Sequence, residues 1–439
     1  MSEYKEDRAS FGENRVAVIG GGASGLMAAI AAADAGARVD LFEKNEKPGK
    51  KLYATGNGRC NLTNLRMEGQ CYHTGTEEGV GTVVVPALER FSCEDLLSFF
   101  AQAGVPVHDR DGYVYPRTDQ AETIVRALEK QLRLYGVRVR TGCPVEEILP
   151  ARRAGRPGFT LKVRQDDGRN RKYSFDRVIL CTGGLAGPAF GCSGDGYRFA
   201  ESFFHSVASP LPALTKLVCS EPLLRRAAGV RCHAAITLYD GKRCIAREEG
   251  ELQITEDSLS GIPVFQLSGT AAEALDRGRS LHAEIDFLPE FSQERYEAEV
   301  CRRLEEDRGQ MTGSLFLGLV HKQVIDLLLA RAGLQAEMKA TRLSDGQLRD
   351  LFGQLRSFSV RIRETGSFGQ AQVTRGGIPL KEIDEHFASR KCPGLYLAGE
   401  LLDVDGRCGG YNLQWAMTSG VIAGRAAGGQ KDSPEKPPT

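Results

Sequence analysis

No C-x-x-C pair occurs among the twelve cysteines of this 439-residue chain, and its seven histidines show no metal-ligand spacing. These absences exclude a zinc framework and a dithiol redox pair, so no metal is expected. Twelve scattered thiols in so long a chain suit a reducing compartment, the cytoplasm. No run approaches the roughly 18–20 uninterrupted apolar residues of a membrane span. The first 14 residues are polar and charged, without the apolar core of a signal peptide. Charge of one sign is lacking too: 57 Lys+Arg balance 57 Asp+Glu. Neither nucleic acid nor membrane is therefore expected as a partner. What remains is ordinary soluble globular composition, 41% hydrophobic and 26% charged, long enough for two or three domains.

The chain is organised around Arg15 to Lys44. Val16 to Ile19 is apolar and β-branched enough for a strand buried on both faces. Gly20, Gly22 and Gly25 then give G-x-G-x-x-G where strand becomes helix. The first allows a tight turn, the second lets a pyrophosphate approach the backbone, and the third lets helix and strand pack closely. Leu26 to Ala35 is alanine-rich helix, Gly36 ends it, and Arg38 to Phe42 is a second strand. Glu43 closes that strand, placed to accept hydrogen bonds from a ribose diol.

The loop from 47 to 64 is dense in Gly, Asn and Thr. Lys50, Lys51 and Arg59 offer positive charge beside a pyrophosphate, Gly56 and Gly58 allow close approach, and Asn57, Asn61 and Thr63 offer hydrogen bonds. Cys60 has no second cysteine nearby, so a packing or flavin-adjacent thiol is expected. A helix is predicted over 85–104, a hairpin over 105–116, a helix over 118–135 and a β-meander over 145–175, whose arginines read as a solvated face. Val178 to Cys181 is a buried strand entering Thr182-Gly183-Gly184. Short β-like runs at 217–254 suggest a barrel, and helices are predicted over 295–307, 318–332 and 345–355. Strand returns from 358 to 373. Near the end, Leu395 to Ala398 runs into Gly399-Glu400. Gly409-Gly410-Tyr411-Asn412 precedes a helix from about 413 to 427, whose N–H groups and dipole would stabilise negative charge on a flavin's pyrimidine edge.

The segments G-G-G-A-S-G, T-G-N-G-R-C-N-L-T-N, V-T-R-G-G-I and G-E-L-L-D-V-D-G-R-C-G-G-Y-N-L-Q-W-A resemble the bacterial-type BaiN/YhiN NAD(P)/FAD-dependent oxidoreductases over about residues 14–428. The resemblance implies an α/β fold. Its parts are a Rossmann-like FAD-binding domain (three-layer, mostly parallel sheet plus β-meander), an inserted β-barrel and a small helical subdomain. The expected boundaries are an arm at 1–14, FAD domain at 15–205 and 371–428, insertion at 206–370 (helical at about 270–345) and a disordered tail at 429–439. It also implies that FAD contacts Gly20, Gly22, Ala23, Ser24, Gly25, Glu43 and Lys44 with its adenosine half. Lys51, Gly58, Arg59, Cys60 and Asn61 would line the pyrophosphate and flavin. Val145, Thr182, Gly183, Gly184, Gly399, Glu400, Gly410, Tyr411, Asn412 and Leu413 would complete the site. The insertion departs from the family's T-x-G-P-x-x-L, reading Ser258-Leu-Ser-Gly-Ile-Pro-Val-Phe-Gln-Leu267.

With one dinucleotide fingerprint, NAD(P)H must visit the flavin face that the substrate later uses. The expected activity is an NAD(P)H-dependent, FAD-dependent reductase of an activated C=C in a small molecule, enone-like and of steroid or bile-acid type. Thr374, Gly376 and Gly377 are expected in its pocket, with Tyr411, Cys60 or Tyr53 as proton donor. The alternatives are a flavin oxidase or dehydrogenase of a small amine using O₂, and a flavoprotein in RNA modification or redox sensing.

Overall fold

The computed structural model describes residues 14–153, 156–165 and 167–430. The expected arm and tail lie outside these residues but for Asn14, Gly429 and Gln430. Two compact units divide the chain, Met1–Pro210 with Val373–Thr439 and Leu211–Gln372.

The first unit is built on a five-stranded parallel sheet of β1 (Arg15–Ile19), β2 (Arg38–Phe42), β7 (Arg138–Arg140), β11 (Arg177–Leu180) and β20 (Leu395–Leu397). Their order is β20-β11-β1-β2-β7. Val16, Ala17 and Val18 are wholly buried, as a strand covered on both faces requires. Helix α1 (Ala23–Asp34) carries the chain from β1 to β2, and α5 (Ala121–Leu134) leads into β7, burying Ile124, Leu128 and Leu132. Between them, β3 (Thr63–Asn64) joins the hairpin β5 (Val107–Arg110) and β6 (Tyr113–Pro116), and β4 (Tyr72–Thr74) pairs with β21 (Val404–Gly406). After a single turn, α2 (Glu77–Gly79), the helix expected over 85–104 is two, α3 (Val85–Arg90) and α4 (Cys93–Gln102). Ser92 starts the second with a capping box to Asp95, and that local preference interrupts the apolar run. The meander is β8 (Val145–Arg153), β9 (Arg156–Arg164) and β10 (Asn170–Phe175), followed after β11 by α6 (Asp195–Ser202). β12 (Ala208–Ala213) pairs with β19 (Val373–Gly377).

The last helix, α11 (Tyr411–Gly428), lies against α1 through a stripe of glycines. A Cβ on Gly420 would sit 2.3 Å from the Ser24 carbonyl oxygen, and one on Gly424 would sit 2.4 Å from that of Ala28. On its other side α1 touches the sheet, where a Cβ on Gly25 would meet the Gly20 carbonyl oxygen at 1.8 Å. No side chain fits on either side, so α1 is held at backbone contact between sheet and α11.

The second unit is a closed barrel of β13 (Leu217–Cys219), β14 (Arg231–Asp240), β15 (Arg243–Ile254), β16 (Ser258–Ser260), β17 (Leu281–Asp286) and β18 (Phe358–Thr365), in the order β13-β16-β15-β14-β17-β18. Pairing of β13 with β18 closes it. Helix α7 (Ile262–Asp276) follows β16, and α8 (Gln293–Glu306), α9 (Lys322–Arg331) and α10 (Asp345–Gly353) form the helical part. The expected limits of that part need correction. α7 begins at Ile262, ahead of the helical stretch expected from about 270, and β17 falls inside that stretch. Its burial alternates, Leu281, Ala283 and Ile285 inward against His282, Glu284 and Asp286, which is a strand's period of two. The strand expected over 358–373 is likewise two, β18 and β19, with residues 366–372 between them.

Candidate active site

Every group described below belongs to the first unit. Gly20 takes φ +102 and donates its N–H to the Phe42 carbonyl at 2.8 Å, which turns the chain from β1 into α1. Gly22 caps α1 without any side-chain acceptor, and a Cβ there would meet nothing within 4 Å. The space in front of Gly22 is open, and the first-turn N–H groups of α1, which have no intrahelical acceptor, stand behind it at the positive end of the helix, a seat for a phosphate. Beside it the buried Glu43 is fixed: Oε2 accepts from the Gly21 N–H at 2.7 Å, and Oε1 accepts from the Asn45 N–H and Nδ2, each at 2.7 Å. The Cys143 N–H donates to the Glu43 carbonyl at 3.0 Å, which brings the start of β8, and Val145, to this end of the site.

Lys44 turns away from the seat. Its Nζ is bound to Asp195 at 2.6 Å and to Ser193 at the start of α6. Lys51 takes the inner position, with Nζ 2.8 Å from Glu400 Oε2, while Glu400 Oε1 accepts from the Thr374 N–H at 2.9 Å. Burial alone would lower the Lys51 pKa, but the Glu400 charge and hydrogen bond raise it above its ordinary value. Thr374 Oγ1 in turn accepts from the N–H groups of Leu185 and Ala186 at 2.8 and 2.9 Å. A Cβ on Gly184 would lie 2.4 Å from that oxygen. Four distant segments thus meet at one polar knot. Nearby, the Thr182 hydroxyl is buried without a partner among the described residues, and so is the hydroxyl of Tyr197, which follows it in space on α6. Gly183 and Gly399, both at positive φ, line the same carboxyl ends of β11 and β20.

At the far end α11 begins at Gly410, again with no side-chain cap. Asn412 pins the preceding turn, accepting from the Gly406 N–H at 2.8 Å and donating to its carbonyl at 2.7 Å. Asn61, its amide turned to match its neighbours, accepts from the Gly410 N–H at 3.3 Å and donates to the Thr63 carbonyl at 3.1 Å. Leu413 is half-buried beside them, and Gly58 and Arg59 are exposed on the loop that leads in.

The three expected proton donors are placed unequally. The buried Tyr411 gives its proton to the Arg66 carbonyl at 3.1 Å, and burial beside Cys71 pushes its pKa well above the ordinary value. Cys60 is sealed at 0% exposure, and burial pushes its thiol up to about 12 against a hydrogen bond from Thr55. Tyr53 is exposed and lies by Glu129, Glu122 and Arg126 of α5, not by the 409–412 turn. Of the expected pocket residues, Gly376 and Gly377 are pressed against backbone, where a Cβ would reach the Ser209 and Leu401 carbonyl oxygens at 2.4 and 2.6 Å.

Two features escaped the sequence reading. Tyr113 on β6 packs its ring on Gly409, 2.6 Å from where a Cβ would stand, and its hydroxyl has no hydrogen-bond partner among the described residues. The other is the buried pair Arg375–Asp405, bonded at 3.0 and 2.9 Å, with His73 Nδ1 3.2 Å from the same carboxylate. The Tyr-x-Tyr alternation of the hairpin could have signalled the first. Nothing local signals the second, whose partners are far apart in sequence. Among the described residues no cluster of His, Cys, Asp and Glu could hold a metal, and no helix is long and apolar enough to cross a membrane.

A glycine-turned parallel sheet with two uncapped helix N-termini at its carboxyl ends, a meander and an inserted barrel define a Rossmann-like domain of the FAD-binding type. The model of the HI0933-like protein Rossmann domain matches residues 14–426, and the chain belongs to that family. It is 40% identical over 417 residues to the 3-dehydro-bile acid delta(4,6)-reductase of Clostridium scindens, covering 94% of this chain and 99% of that protein. It is 30% identical over 409 residues to the ribosomal RNA dihydrouridine synthase of Escherichia coli, covering 92% and 95%. Among solved structures, 3-ketosteroid delta1-dehydrogenase from Sterolibacterium denitrificans shares the fold at 14% identity and a TM-score of 0.50, covering 95% of this chain and 100% of that one. A relative named for ribosomal RNA removes the ground for excluding nucleic acid as a partner.

Proposed function

We propose that the chain is an FAD-dependent oxidoreductase that reduces a C=C bond conjugated to a carbonyl. NAD(P)H is its transient electron donor, and a small enone of steroid or bile-acid type its acceptor. The observation that carries this reading is the full-length 40% identity to a reductase whose name specifies such a substrate. The open first turn of α1 fits a pyrophosphate, Glu43 fits a ribose diol, and the Lys51–Glu400–Thr374 knot fits the polar middle of the cofactor. When bound, the flavin supplies hydride transfer at N5. The chain supplies the rest. The uncapped first-turn N–H groups of α11, at Tyr411, Asn412 and Leu413 after Gly410, would offer positive potential to the pyrimidine edge.

A proton must also reach the substrate carbon. Tyr411 is committed to a backbone carbonyl and Cys60 is sealed, so Tyr113, lying over Gly409 at the mouth of the turn, is the better-placed acid. Twelve cysteines without a disulfide support a cytoplasmic setting.

The test is anaerobic mixing with NADH and with NADPH, followed by a steroid 4,6-dien-3-one. Bleaching of the flavin and reoxidation by the dienone are expected, and no bleaching by either nicotinamide sinks the reading. Peroxide formed from an amine without NAD(P)H would point to an oxidase instead. A second reading keeps the chemistry and changes the acceptor, because the uracil C=C is also conjugated to a carbonyl. The relative named as a ribosomal RNA dihydrouridine synthase favours it, and reoxidation by RNA but not by dienone would select it.

A further inference from the structure

A net charge of zero conceals a local excess. Residues 145–175, the three meander strands and their turns, carry eight Lys and Arg against four Asp and Glu. The strand register sorts them by face. Ile148, Leu161 and Tyr173 share one row directed to the core, and in the next row Phe159 and Phe175 are buried opposite the exposed Pro150. The opposite face carries Glu147–Lys162–Lys172 in one row, Arg164 beside Asn170, Thr160 beside Ser174, and Arg153 facing Arg156.

Two of these cross-strand pairs, Lys162 with Lys172 and Arg153 with Arg156, put like charges directly opposite each other, an arrangement that costs stability in a sheet. Carboxylates relieve it only in part. Arg153 is bonded to Asp176, and Arg164 lies 3.7 Å from Glu146. Arg156, Lys162 and Lys172 have no ion pair among the described residues, and Glu147, next to Lys162 in register, makes none. Thr160, Ser174 and Asn170 add neutral donors between the cations. Cations spaced about 7 Å along a strand and about 5 Å across strands, interleaved with hydroxyl and amide donors, suit a phosphate backbone.

We propose that the outer face of the meander is a docking surface for the phosphate backbone of RNA, through Arg156, Lys162, Arg164 and Lys172. RNA is preferred to an anionic membrane because the face offers one exposed large apolar residue, Leu149, and so little to insert into lipid. The choice of occupant rests on the RNA reading of the function; the surface and its charge do not.

The test compares two variants of the full chain with equal charge change. One is R156Q/K162Q/R164Q/K172Q, and the other is R225Q/R226Q/K242Q/R243Q, which removes four exposed cations of the second unit. Binding of a fluorescein-labelled RNA hairpin is measured across salt concentration, with FAD absorbance and circular dichroism as checks on folding. The parent should bind RNA with strong salt dependence. The meander variant should bind at least about tenfold more weakly, with the slope of log affinity on log salt reduced by about 3 for four lost contacts. The control variant should bind like the parent. Equal losses in both variants, or no RNA binding by the parent, overturn the proposal. So does loss of binding to phosphatidylserine vesicles while RNA binding is retained. Should the quadruple variant misfold, K162Q/K172Q alone must still weaken RNA binding and lower the slope, and parent-like binding overturns the proposal. Turnover separates the two ideas: reduction of dienone but not of RNA defeats the RNA reading, whereas RNA reduction that is indifferent to the meander variant defeats only this surface.

Discussion

Replacing Gly424 by alanine tests whether the grip on α1 fixes the cofactor site. The added Cβ would stand 2.4 Å from the Ala28 carbonyl oxygen and 2.9 Å from the Ala31 Cβ. Comfortable contact is roughly 3.5 Å, so α1 and α11 must part by about 1 Å. α1 cannot recoil into the sheet, because Gly25 is already at backbone contact with Gly20. Overpacking of this kind costs about 1–3 kcal/mol, and the better helix propensity of alanine returns up to about 1 kcal/mol. The net loss should be about 1–2 kcal/mol, a fall in Tm of about 2–4 °C for a unit of this length. The same displacement lengthens the N–H contacts that the first turns of α1 and α11 would offer a ligand. At about 1 kcal/mol for each of one or two contacts, FAD should bind about tenfold more weakly. The assay is thermal unfolding of the apo chain with FAD titration by flavin fluorescence. Gly346→Ala is the control: in α10 its Cβ would meet only Ser344 Oγ at 3.9 Å, so that variant should be unchanged or slightly more stable, with FAD affinity unaltered. A Gly424→Ala chain as stable as the parent, with unchanged FAD affinity, would refute the idea that backbone contact sets the site.

Glu400→Gln leaves Lys51 without its carboxylate and should cost about 1–3 kcal/mol in urea unfolding at neutral pH. Because the folded Lys51 pKa is raised above 10.5, that contribution is complete below this pH and lost as pH rises through the folded value, so the variant should lack the parent's alkaline limb. Glu382, hydrogen-bonded by Lys391, Ser206 and His205, has a carboxyl that burial would raise but these partners hold at about 2 instead of 4.5. Its contribution is complete above pH 4.5 and lost as pH falls toward 2; Glu382→Gln should flatten the acid limb there, and an unchanged acid midpoint contradicts it. Tyr113→Phe should leave flavin reduction by NAD(P)H intact and slow acceptor turnover about 10²–10⁴-fold; equal effects on both half-reactions would remove Tyr113 as the acid. Cys60 should resist thiol reagents at pH 8 while the exposed Cys244 and Cys301 react, and early labelling of Cys60 by peptide mapping would contradict its burial.

How far the sequence could be read follows from the range of the interactions concerned. The β1–α1–β2 unit, its three glycines and Glu43 are local features, since strand, turn and helix draw on neighbouring residues, and they fold as the pattern implies. The meander was equally legible as alternation, but the face its cations share depends on register, and one residue of slip would exchange the two faces. The break at Ser92 was lost because a capping serine inside an amphipathic run looks like any polar position. Strand β17 was lost because it is short and flanked by helices, although its alternation is plain once Leu281, Ala283 and Ile285 are read together. What no local pattern could supply is pairing across hundreds of residues: Lys51 with Glu400, Tyr113 on Gly409, His73 with Asp405.

Those distant pairings explain why the site can be rigid although its residues come from loops. Thr374 and Glu400 hold the turn after β11 and the lysine of the loop after β2 in one hydrogen-bonded knot. The glycine stripe holds α11 to α1, so the two uncapped helix N-termini are set at a fixed separation by backbone contact. A dinucleotide with phosphate at one terminus and a flavin ring at the other would find both ends already placed, and little ordering would remain to oppose its binding. The segments left outside this frame are the exposed loop at 53–59 and the hairpin that carries Tyr113. On the proposed function the scaffold would hold the cofactor while that loop and hairpin select the acceptor, so exchanging residues 53–59 and 107–116 should change which conjugated C=C reoxidises the flavin and leave FAD affinity unchanged.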